Sequence, residues 1–514
     1  MLKKNYNHNY LRIYIWKFFS ILTGFLSLLI VVPHLSSDKE LYGIYSVCIS
    51  FIIYLSYADI GFLSAGQKYA AEAFAKNDRN TEIRLLGFIG AILLLMTIPF
   101  SLSMIFFSFQ PDMLIHNLTE NGKDISKSIL LILGTLLPFQ IILQRLVQSI
   151  LIIRIKDYIS LRIDVIFNLV KVGSVFYFFS ENSYQLVEYF LFVNAITILS
   201  SLVILFIIKI NENYDFLLLF KSIKVKKKEY NITKKLAGSS LILTIGWLIY
   251  YELDLIIIGK WLGPQDVAIY AVAFTFLNFL RTLWNTVFSP FAQRFNHFSA
   301  LNSDLELREL TKRIMDYTFP LCIIVTIALI LASEKIIYYW VGNDYADSIV
   351  ILQVLIVGTC FGFVTNPASY YFTAKTKYSL MNALGMVLPM IFIIGIFLLI
   401  PNFSLVGISI SKSFTMLIGF IICFIGVSRI YNPLLSIKKW FINLLIMITF
   451  TSFLISHILD VFFISQEKST TNLVLLFLML ACVVVVSYLV LLLTMREQRM
   501  DLKVILSSLF RKIN

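Results

Sequence analysis

Three cations lie inside long apolar runs of the sequence, where a charged side chain needs either a partner or a polar cavity. They are Lys171, Arg281 and Lys412. A charge at the centre of a membrane helix costs roughly 2.5–3.5 kcal/mol on insertion scales. A guanidinium presents a planar fork that matches phosphate oxygens, whereas an ammonium acts as a point charge. The three residues therefore predict a cationic site for an anionic substrate, with burial in ion pairs with Asp164, Glu252 or Asp254 as the alternative.

Polar and aromatic side chains accompany these cations at helical spacing. One stripe runs through Asp164, Asn168, Lys171 and Ser174, and another through Asn278, Arg281, Asn285 and Ser289. Spacings of three and four residues place each stripe on one helix face. Aromatic faces on which sugar rings stack are supplied by Tyr54, Tyr57, Trp247 and Tyr251. Helix packing is the alternative for the polar stripes, and anchoring at the membrane interface is the alternative for the aromatic residues.

Carboxylates, cysteines and histidines limit the remaining chemistry. Glu252 and Asp254 are candidates for coupling transport to an ion, or for pairing with the cations. The five cysteines form no C-x-x-C pair, the five histidines are scattered, and no Walker A pattern occurs. Metal sites and nucleotide sites depend on such spacings. We therefore expect no catalytic residue, no metal and no cofactor.

The elements that must position these side chains are membrane helices. The chain has 514 residues, of which 59% are hydrophobic and 14% are charged. Soluble globular domains carry roughly 25% charged residues. The composition therefore excludes a disordered chain, a coiled coil and an ordinary water-soluble enzyme. The net charge of +13 comes mostly from loop residues, so nucleic acid is not an expected partner.

Fourteen apolar runs are long enough to span a bilayer, which needs about 20 residues per helix. They lie at about 12–33, 42–63, 84–108, 128–151, 162–180, 185–208, 236–258, 266–289, 315–333, 347–372, 379–400, 403–427, 437–459 and 472–494. Most of the 43 Lys and Arg residues fall in alternate loops. The positive-inside rule assigns those loops to the cytoplasm. The sequence thus predicts an all-α polytopic membrane protein of about 14 transmembrane helices, with both termini cytoplasmic.

An internal repeat suggests how these helices are organised. Gly43-Ile-Tyr-Ser-Val47 follows the first run, and Ala268-Ile-Tyr-Ala-Val272 follows the seventh. The basic segment 211–235 separates the two halves. We expect a six-helix lobe over 1–210, a cytoplasmic linker over 211–235, a second six-helix lobe over 236–430, and an extra helix pair with a tail over 431–514. Transporters built from repeats place their pathway between the repeats. A capping box at Ser303 to Glu306 predicts a short surface helix there.

The sequence resembles the polysaccharide (O-antigen type) flippase family of the multidrug/oligosaccharidyl-lipid/polysaccharide exporter superfamily. The resemblance rests on four segments: Tyr42-Gly-Ile-Tyr45, Tyr57-Ala-Asp59-Ile-Gly61, Asp254-Leu-Ile-Ile-Ile-Gly259-Lys-Trp-Leu-Gly263, and Leu405-Val-Gly407. It implies a two-lobed V shape and alternating access. It also implies translocation of polyprenyl-diphosphate-linked oligosaccharide units across the bacterial cytoplasmic (inner) membrane for surface polysaccharide biosynthesis. The implied partners are the lipid-linked glycan and membrane lipid, and a polysaccharide polymerase complex is a further candidate.

Three alternatives remain open. A lipid II flippase is chemically close, and its extra helix pair resembles residues 437–494. A drug or cation antiporter of the same superfamily would need an acidic site in the first lobe, and the run 12–33 has none. A membrane glycosyltransferase would use a metal at Asp38 and Glu40, but it usually needs a large outer loop that this sequence lacks.

Overall fold

The computed structural model describes residues 2–56, 61–180, 183–300, 303–375, 378–428, 433–463 and 468–494. This part of the chain is almost entirely helical. It forms two compact units, Met1–Ala271 and Val272–Asn514, and the boundary falls within helix α12 (Pro264–Ala300). The first compact unit also includes the helices Lys227–Glu252 and Asp254–Trp261, which follow the linker. The lobe boundaries expected from the linker at 211–235 therefore stay a prediction.

The first unit contains eleven complete α-helices in its described residues. They are α1 (Leu2–Leu35), α2 (Lys39–Ser56), α3 (Phe62–Ala75), α4 (Arg79–Phe109), α5 (Glu120–Thr135), α6 (Leu137–Ile153), α7 (Tyr158–Phe178), α8 (Leu186–Glu212), α9 (Phe216–Lys221), α10 (Lys227–Glu252) and α11 (Asp254–Trp261). A short antiparallel pair, β1 (Phe179–Ser180) and β2 (Ser183–Tyr184), joins α7 to α8. Helices α5 and α6 are bent by 40° relative to each other, because Pro138 in the first turn of α6 cannot continue the preceding helix.

The core of the first unit forms where α3, α4, α6 and α8 meet. Its fully buried side chains include Ile83, Leu86, Ile89, Val147, Ile150 and Ile204. Close-packed aliphatic side chains of this kind fix the helices through many small dispersion contacts.

A buried ion network joins the ends of these helices. The Arg154 guanidinium lies 2.8 Å from Glu82 and 3.6 Å from Glu212, and Lys156 lies 2.5 Å from Glu212. The side chains of Arg154 and Glu82 are only 2% and 1% exposed. Arg154 also lies over the ring of Tyr214, 5.2 Å from its centre. Burial raises the pKa of the Tyr214 hydroxyl above its usual value, so the ring stays neutral beside these charges.

Replacing Arg154 by alanine is expected to destabilise the first unit. It would leave the buried Glu82 carboxylate without its guanidinium, and breaking a buried pair costs about 3–5 kcal/mol. Thermal unfolding of the full chain in detergent measures the loss. Arg145→Ala is the control of the same size, because Arg145 lies in helix α6, which ends at Ile153 just before Arg154. If the double variant Arg154→Met with Glu82→Leu is no more stable than Arg154→Ala, the ion pair is not what holds these helices.

In its described residues the second unit contains the rest of α12 and five further α-helices. They are α13 (Asp304–Trp340), α14 (Ser348–Ala374), α15 (Tyr378–Ser428), α16 (Pro433–Phe462) and α17 (Thr470–Thr494). Helix α15 is broken at Ser404, whose φ of 47° and ψ of −127° are not helical. It therefore consists of two arms, which correspond to the predicted runs 379–400 and 403–427.

Small side chains bring the second arm of α15 close to α14. The Ser413 hydroxyl donates to the Val354 carbonyl at 2.7 Å. A Cβ added at Gly358 would lie 2.5 Å from the Ser413 hydroxyl oxygen, so only glycine allows this approach. Helices α16 and α17 pack against α13, where Ile324, Met447 and Leu491 form a small core. Small residues at helix interfaces are the usual means of tight packing in lipid.

Each predicted apolar run coincides with a helix, a helix pair or an arm of α15 in the described residues. By length and apolar composition, eight helices of the described part can cross a membrane, or nine if α5 and α6 form one span. The all-α, multi-pass membrane architecture is thus confirmed, whereas the number of fourteen crossings stays a prediction. The prediction of a short surface helix at 303–306 is wrong, because α13 runs without a break from Asp304 to Trp340.

Candidate functional site

Two carboxylates and three tyrosines form a buried cluster in the first unit. Asp254 is completely buried, and Glu252 is 3% exposed. The Tyr270 hydroxyl donates a hydrogen bond to Asp254 Oδ2. The hydroxyl of Tyr54 is buried, and it lies within the electrostatic range of both carboxylates. Tyr250 lies close enough to Tyr270 for the two hydroxyl groups to interact electrostatically. The cluster thus joins α2, α10, α11 and the start of α12.

A break in the helix places the two carboxylates. Helix α10 ends at Glu252 and α11 begins at Asp254, so that Leu253 separates them. Asp254 stands in the first turn of α11, where backbone N–H groups without helical partners favour a negative charge. The break therefore provides a local reason for an acid at this position within an apolar segment.

Replacing Tyr270 by phenylalanine tests the hydrogen bond to Asp254. The change removes one donor from a completely buried carboxylate, and the expected loss of stability is about 1–3 kcal/mol. Thermal unfolding in detergent measures it. Tyr177→Phe is the control, because that side chain is 75% exposed. In the Asp254→Asn background the effect of Tyr270→Phe should shrink, and an unchanged effect would show that the two side chains are not coupled.

A backbone contact near this cluster joins the two copies of the sequence repeat. A Cβ added at Gly43 of α2 would lie 1.8 Å from the Pro264 carbonyl oxygen at the start of α12. On α11, the Gly259 carbonyl accepts from the His116 N–H at 2.9 Å. Gly43 begins the first repeated segment, and Ala268 begins the second. The start of the first segment therefore packs against Pro264, which lies just before the second. We call this the Gly43–Pro264 contact.

The predicted stripe on α7 is present in the first unit. The Lys171 ammonium donates to Asn168 Oδ1 at 3.3 Å. Asp164, one turn further towards the start of the helix, accepts from the Ser200 hydroxyl at 2.9 Å and lies within the electrostatic range of Lys171. All three side chains on α7 are half-buried. The stripe therefore carries a cation and an anion on one face, which the helical spacing predicts.

The predicted aromatic residues of α10 lie against each other. The rings of Trp247 and Tyr251 are 5.3 Å apart, and those of Tyr250 and Tyr251 are 4.3 Å apart. Tyr57, which we expect in the same set, lies outside the described residues.

In the second unit, Asn278 orients Arg281. The guanidinium donates from Nη1 to Asn278 Oδ1 at 2.8 Å, and both side chains are half-buried. Asn285, one turn further along α12, is exposed. The three residues therefore lie on one helix, as their spacing predicts, with burial decreasing along the stripe. An arginine held by an amide keeps the remaining donors of its fork in a fixed orientation.

Lys412 differs from the other two cations because its side chain is completely buried. Its ammonium lies over the rings of Phe274 and Phe392, 4.6 Å and 5.7 Å from their centres. Aromatic faces attract cations through their quadrupole. The sequence did not predict these two phenylalanines as neighbours of the candidate residue Lys412, since nothing in the sequence indicates which apolar ring faces a buried lysine.

The acid pair near the first turn has a structural use. Asp38 Oδ1 accepts from the Leu41 N–H at 3.0 Å and so caps α2. Glu40 Oε1 accepts from the Thr119 N–H and from the Thr119 hydroxyl, both at 2.8 Å. The described residues contain no group of three metal-binding side chains. The two acids that a glycosyltransferase would use for a metal are thus engaged with the protein itself.

Comparisons with known proteins agree with this fold. Residues 194–350 match the model of a family described as "Polysaccharide biosynthesis protein". A structure of the lipid II flippase MurJ in an inward closed conformation superposes with a TM-score of 0.67 at 15% identity, over 93% of this chain and 97% of that one. No match is found among curated protein sequences.

Multidrug transporters superpose over a smaller share of the chain. An inward-facing multidrug resistance MATE transporter gives a TM-score of 0.60 at 12% identity, over 84% of this chain and 99% of that one. Its outward-facing form gives 0.53 at 13% identity, over 82% and 96%.

The chain therefore has the fold of these flippase and multidrug transporter structures. The resemblance to a polysaccharide family that we infer from sequence is confirmed by the family match over residues 194–350. The chain is a multi-pass membrane protein.

Proposed function

We propose that this protein moves polyprenyl-diphosphate-linked oligosaccharide units from the cytoplasmic to the outer leaflet by alternating access, for surface polysaccharide biosynthesis. We place it in the bacterial cytoplasmic membrane with both termini inside. The observation that carries the proposal is the half-buried Arg281, held by Asn278 at 2.8 Å on a helix that can cross a membrane. Such a guanidinium suits a diphosphate, because its planar fork matches phosphate oxygens.

The physical task explains why such cations are needed. The sugars and the diphosphate of the substrate cannot enter hydrocarbon without large desolvation costs, whereas the polyprenyl tail is stable in lipid. A protein that binds only the head group removes that barrier. With the cell interior negative, two negative charges moving outward gain about 4.6 kcal/mol per 100 mV. The membrane potential is thus one source of drive.

We assign different roles to the candidate residues. Arg281 and Lys171 bind the diphosphate or an acidic sugar, and Asn278, Asn285, Tyr54, Tyr57, Trp247 and Tyr251 bind the rest of the head group. A substrate contact by Lys412 requires another conformation, since its side chain is buried here. Asp254 and Glu252 are the candidates for coupling to a proton or sodium ion. The protein acts without a cofactor and is not an enzyme, and a polysaccharide polymerase complex is a candidate partner.

The leaflet that holds the lipid-linked oligosaccharide tests this proposal. In cells that lack the chain, an impermeant lectin or glycosidase should reach the oligosaccharide only in inverted vesicles. Expression of the wild-type chain should restore access in intact cells. Normal outward display without the chain would overturn the proposal for that glycan.

A lipid II flippase is the second candidate. The observation that favours it is the larger share of the chain, 93%, that the MurJ structure covers, compared with 84% for the multidrug transporter. The two substrates share a polyprenyl diphosphate and differ in their sugars. The same leaflet measurement, made with a probe for lipid II, separates the two candidates.

A further inference from the structure

A short helix in the first unit exposes apolar side chains beside a run of lysines. Helix α9 begins four residues after α8 ends at Glu212. In the segment 216–228, which we call the α9 platform, Leu217 is 76% exposed, Phe220 is 55% exposed and Val225 is 56% exposed. Large apolar side chains that are this exposed mark a surface that contacts something other than water.

The platform is held firmly by the helices behind it. Leu219 is buried in the core of the unit. A Cβ added at Gly87 of α4 would lie 2.5 Å from the Ser222 carbonyl oxygen, so α4 and the platform touch through their backbones. Asp215 caps α9 by accepting from the Leu218 N–H at 2.9 Å. The exposed apolar side chains therefore project from a fixed support.

The charge of the platform is strongly positive. Its lysines, all exposed, are Lys221, Lys224, Lys226, Lys227 and Lys228. Within the described part of the chain, none of the five lies within 4 Å of a carboxylate. Of the nearby acids, Asp215 serves as a cap, Glu229 is buried, and Asp78 lies within the electrostatic range of Lys228. The outward surface is thus cationic as well as apolar.

We propose that the α9 platform binds anionic phospholipids at the membrane surface where α8 ends. Apolar side chains on a surface helix insert at the boundary of head groups and acyl chains, and lysines beside them attract anionic head groups. Helix α8 is one of the helices that can cross a membrane, so the platform stands at the edge of the bilayer. A soluble acidic partner would account for the lysines, but it would leave Leu217 and Phe220 without a reason. Lipid binding here does not depend on which substrate the chain carries.

Fluorescence quenching in vesicles tests the proposal on the full chain. Val225→Cys, labelled with the polarity-sensitive dye NBD in a Cys482→Ser background, places a probe between Lys224 and Lys226. Vesicles contain phosphatidylcholine with about one third phosphatidylglycerol, and either lipid carries the quencher. We expect the dye to be shielded from aqueous acrylamide, and phosphatidylglycerol to quench about threefold more efficiently than phosphatidylcholine.

Neutralising the lysines should remove this preference. Lys224, Lys226 and Lys227 changed together to glutamine should bring the two quenching efficiencies to a ratio of about one. The matched control changes three exposed cations of α13, Arg308, Lys312 and Arg313, to glutamine, and should keep the wild-type ratio.

Three results would overturn the proposal. One is equal quenching by the two lipids in the wild-type chain. Another is full access of acrylamide to the dye, which would point to a soluble partner. The third is loss of the preference in inorganic phosphate but not in sodium chloride of equal ionic strength, which would show that the lysines bind free anions.

Discussion

Replacing Gly43 by alanine is expected to reduce export of the lipid-linked oligosaccharide at least tenfold. The added Cβ would lie 1.8 Å from the Pro264 carbonyl oxygen. A backbone atom cannot rotate away as a side chain can, so α2 and the start of α12 would have to separate. Overpacking of this kind costs about 1–3 kcal/mol or more, and about 1.4 kcal/mol corresponds to a factor of ten. The conformation described here would then be strongly depopulated.

The Gly43→Ala substitution is informative because alanine favours the helical conformation more than glycine does. In the interior of α2 it should raise the intrinsic helix stability by about 0.5–1 kcal/mol, so a loss cannot come from a weaker helix. Gly24→Ala in α1 is the matched control, since no atom lies within 4 Å of its added Cβ. Both variants are compared in the leaflet assay after their amounts in the membrane have been equalised. Wild-type export by Gly43→Ala would show that the Gly43–Pro264 contact is not needed for transport.

Replacing Arg281 by alanine is the second change from which we expect a large effect. Charge-assisted hydrogen bonds contribute about 1.5–3 kcal/mol each, so export should fall roughly 10-fold to 150-fold. Arg281→Lys keeps the charge and loses the fork, and it should retain part of the activity. Asn278→Ala should give an intermediate loss, because the amide that orients the guanidinium at 2.8 Å is removed.

Arg294→Ala is the control for Arg281→Ala. Arg294 lies on the same helix, α12, and its side chain is exposed. It should export normally in the same leaflet assay. Full export by Arg281→Ala would remove Arg281 from the proposed substrate site, while leaving the flippase proposal to be decided by the leaflet of the substrate.

Much of the fold and part of the site follow from local sequence. The apolar runs locate the helices because burial in lipid requires about 20 apolar residues in a row. The pairs Lys171 with Asn168 and Arg281 with Asn278 are three residues apart, so helix geometry alone predicts that they meet. The break of α15 at Ser404 lies beside the boundary between the predicted runs 379–400 and 403–427, each of which is long enough to form a helix.

Contacts between distant segments do not follow from sequence in this way. Tyr270 reaches Asp254 from another helix. Phe274 reaches Lys412 from α12, and Phe392 reaches it from the other arm of α15. A capping box at Ser303 has the right composition for a separate short helix, but the apolar residues that follow continue it into α13. Tertiary packing decides these cases, because local preferences of a few tenths of a kcal/mol are easily overridden.

The ion network around Arg154 has a consequence for how the chain is made. In the folded protein Arg154 is almost inaccessible and is paired with Glu82 and Glu212. Glu212 lies more than fifty residues later in the chain, so part of this pairing has to wait for its synthesis. Until then Arg154 lacks Glu212, and by the positive-inside rule we expect its charge to contribute to the topology signal of the nascent chain. The Arg154 side chain can thus serve membrane insertion first and the folded structure afterwards. A variant in which Arg154 is replaced by an uncharged residue would therefore be expected both to fold poorly and to insert with mixed orientation.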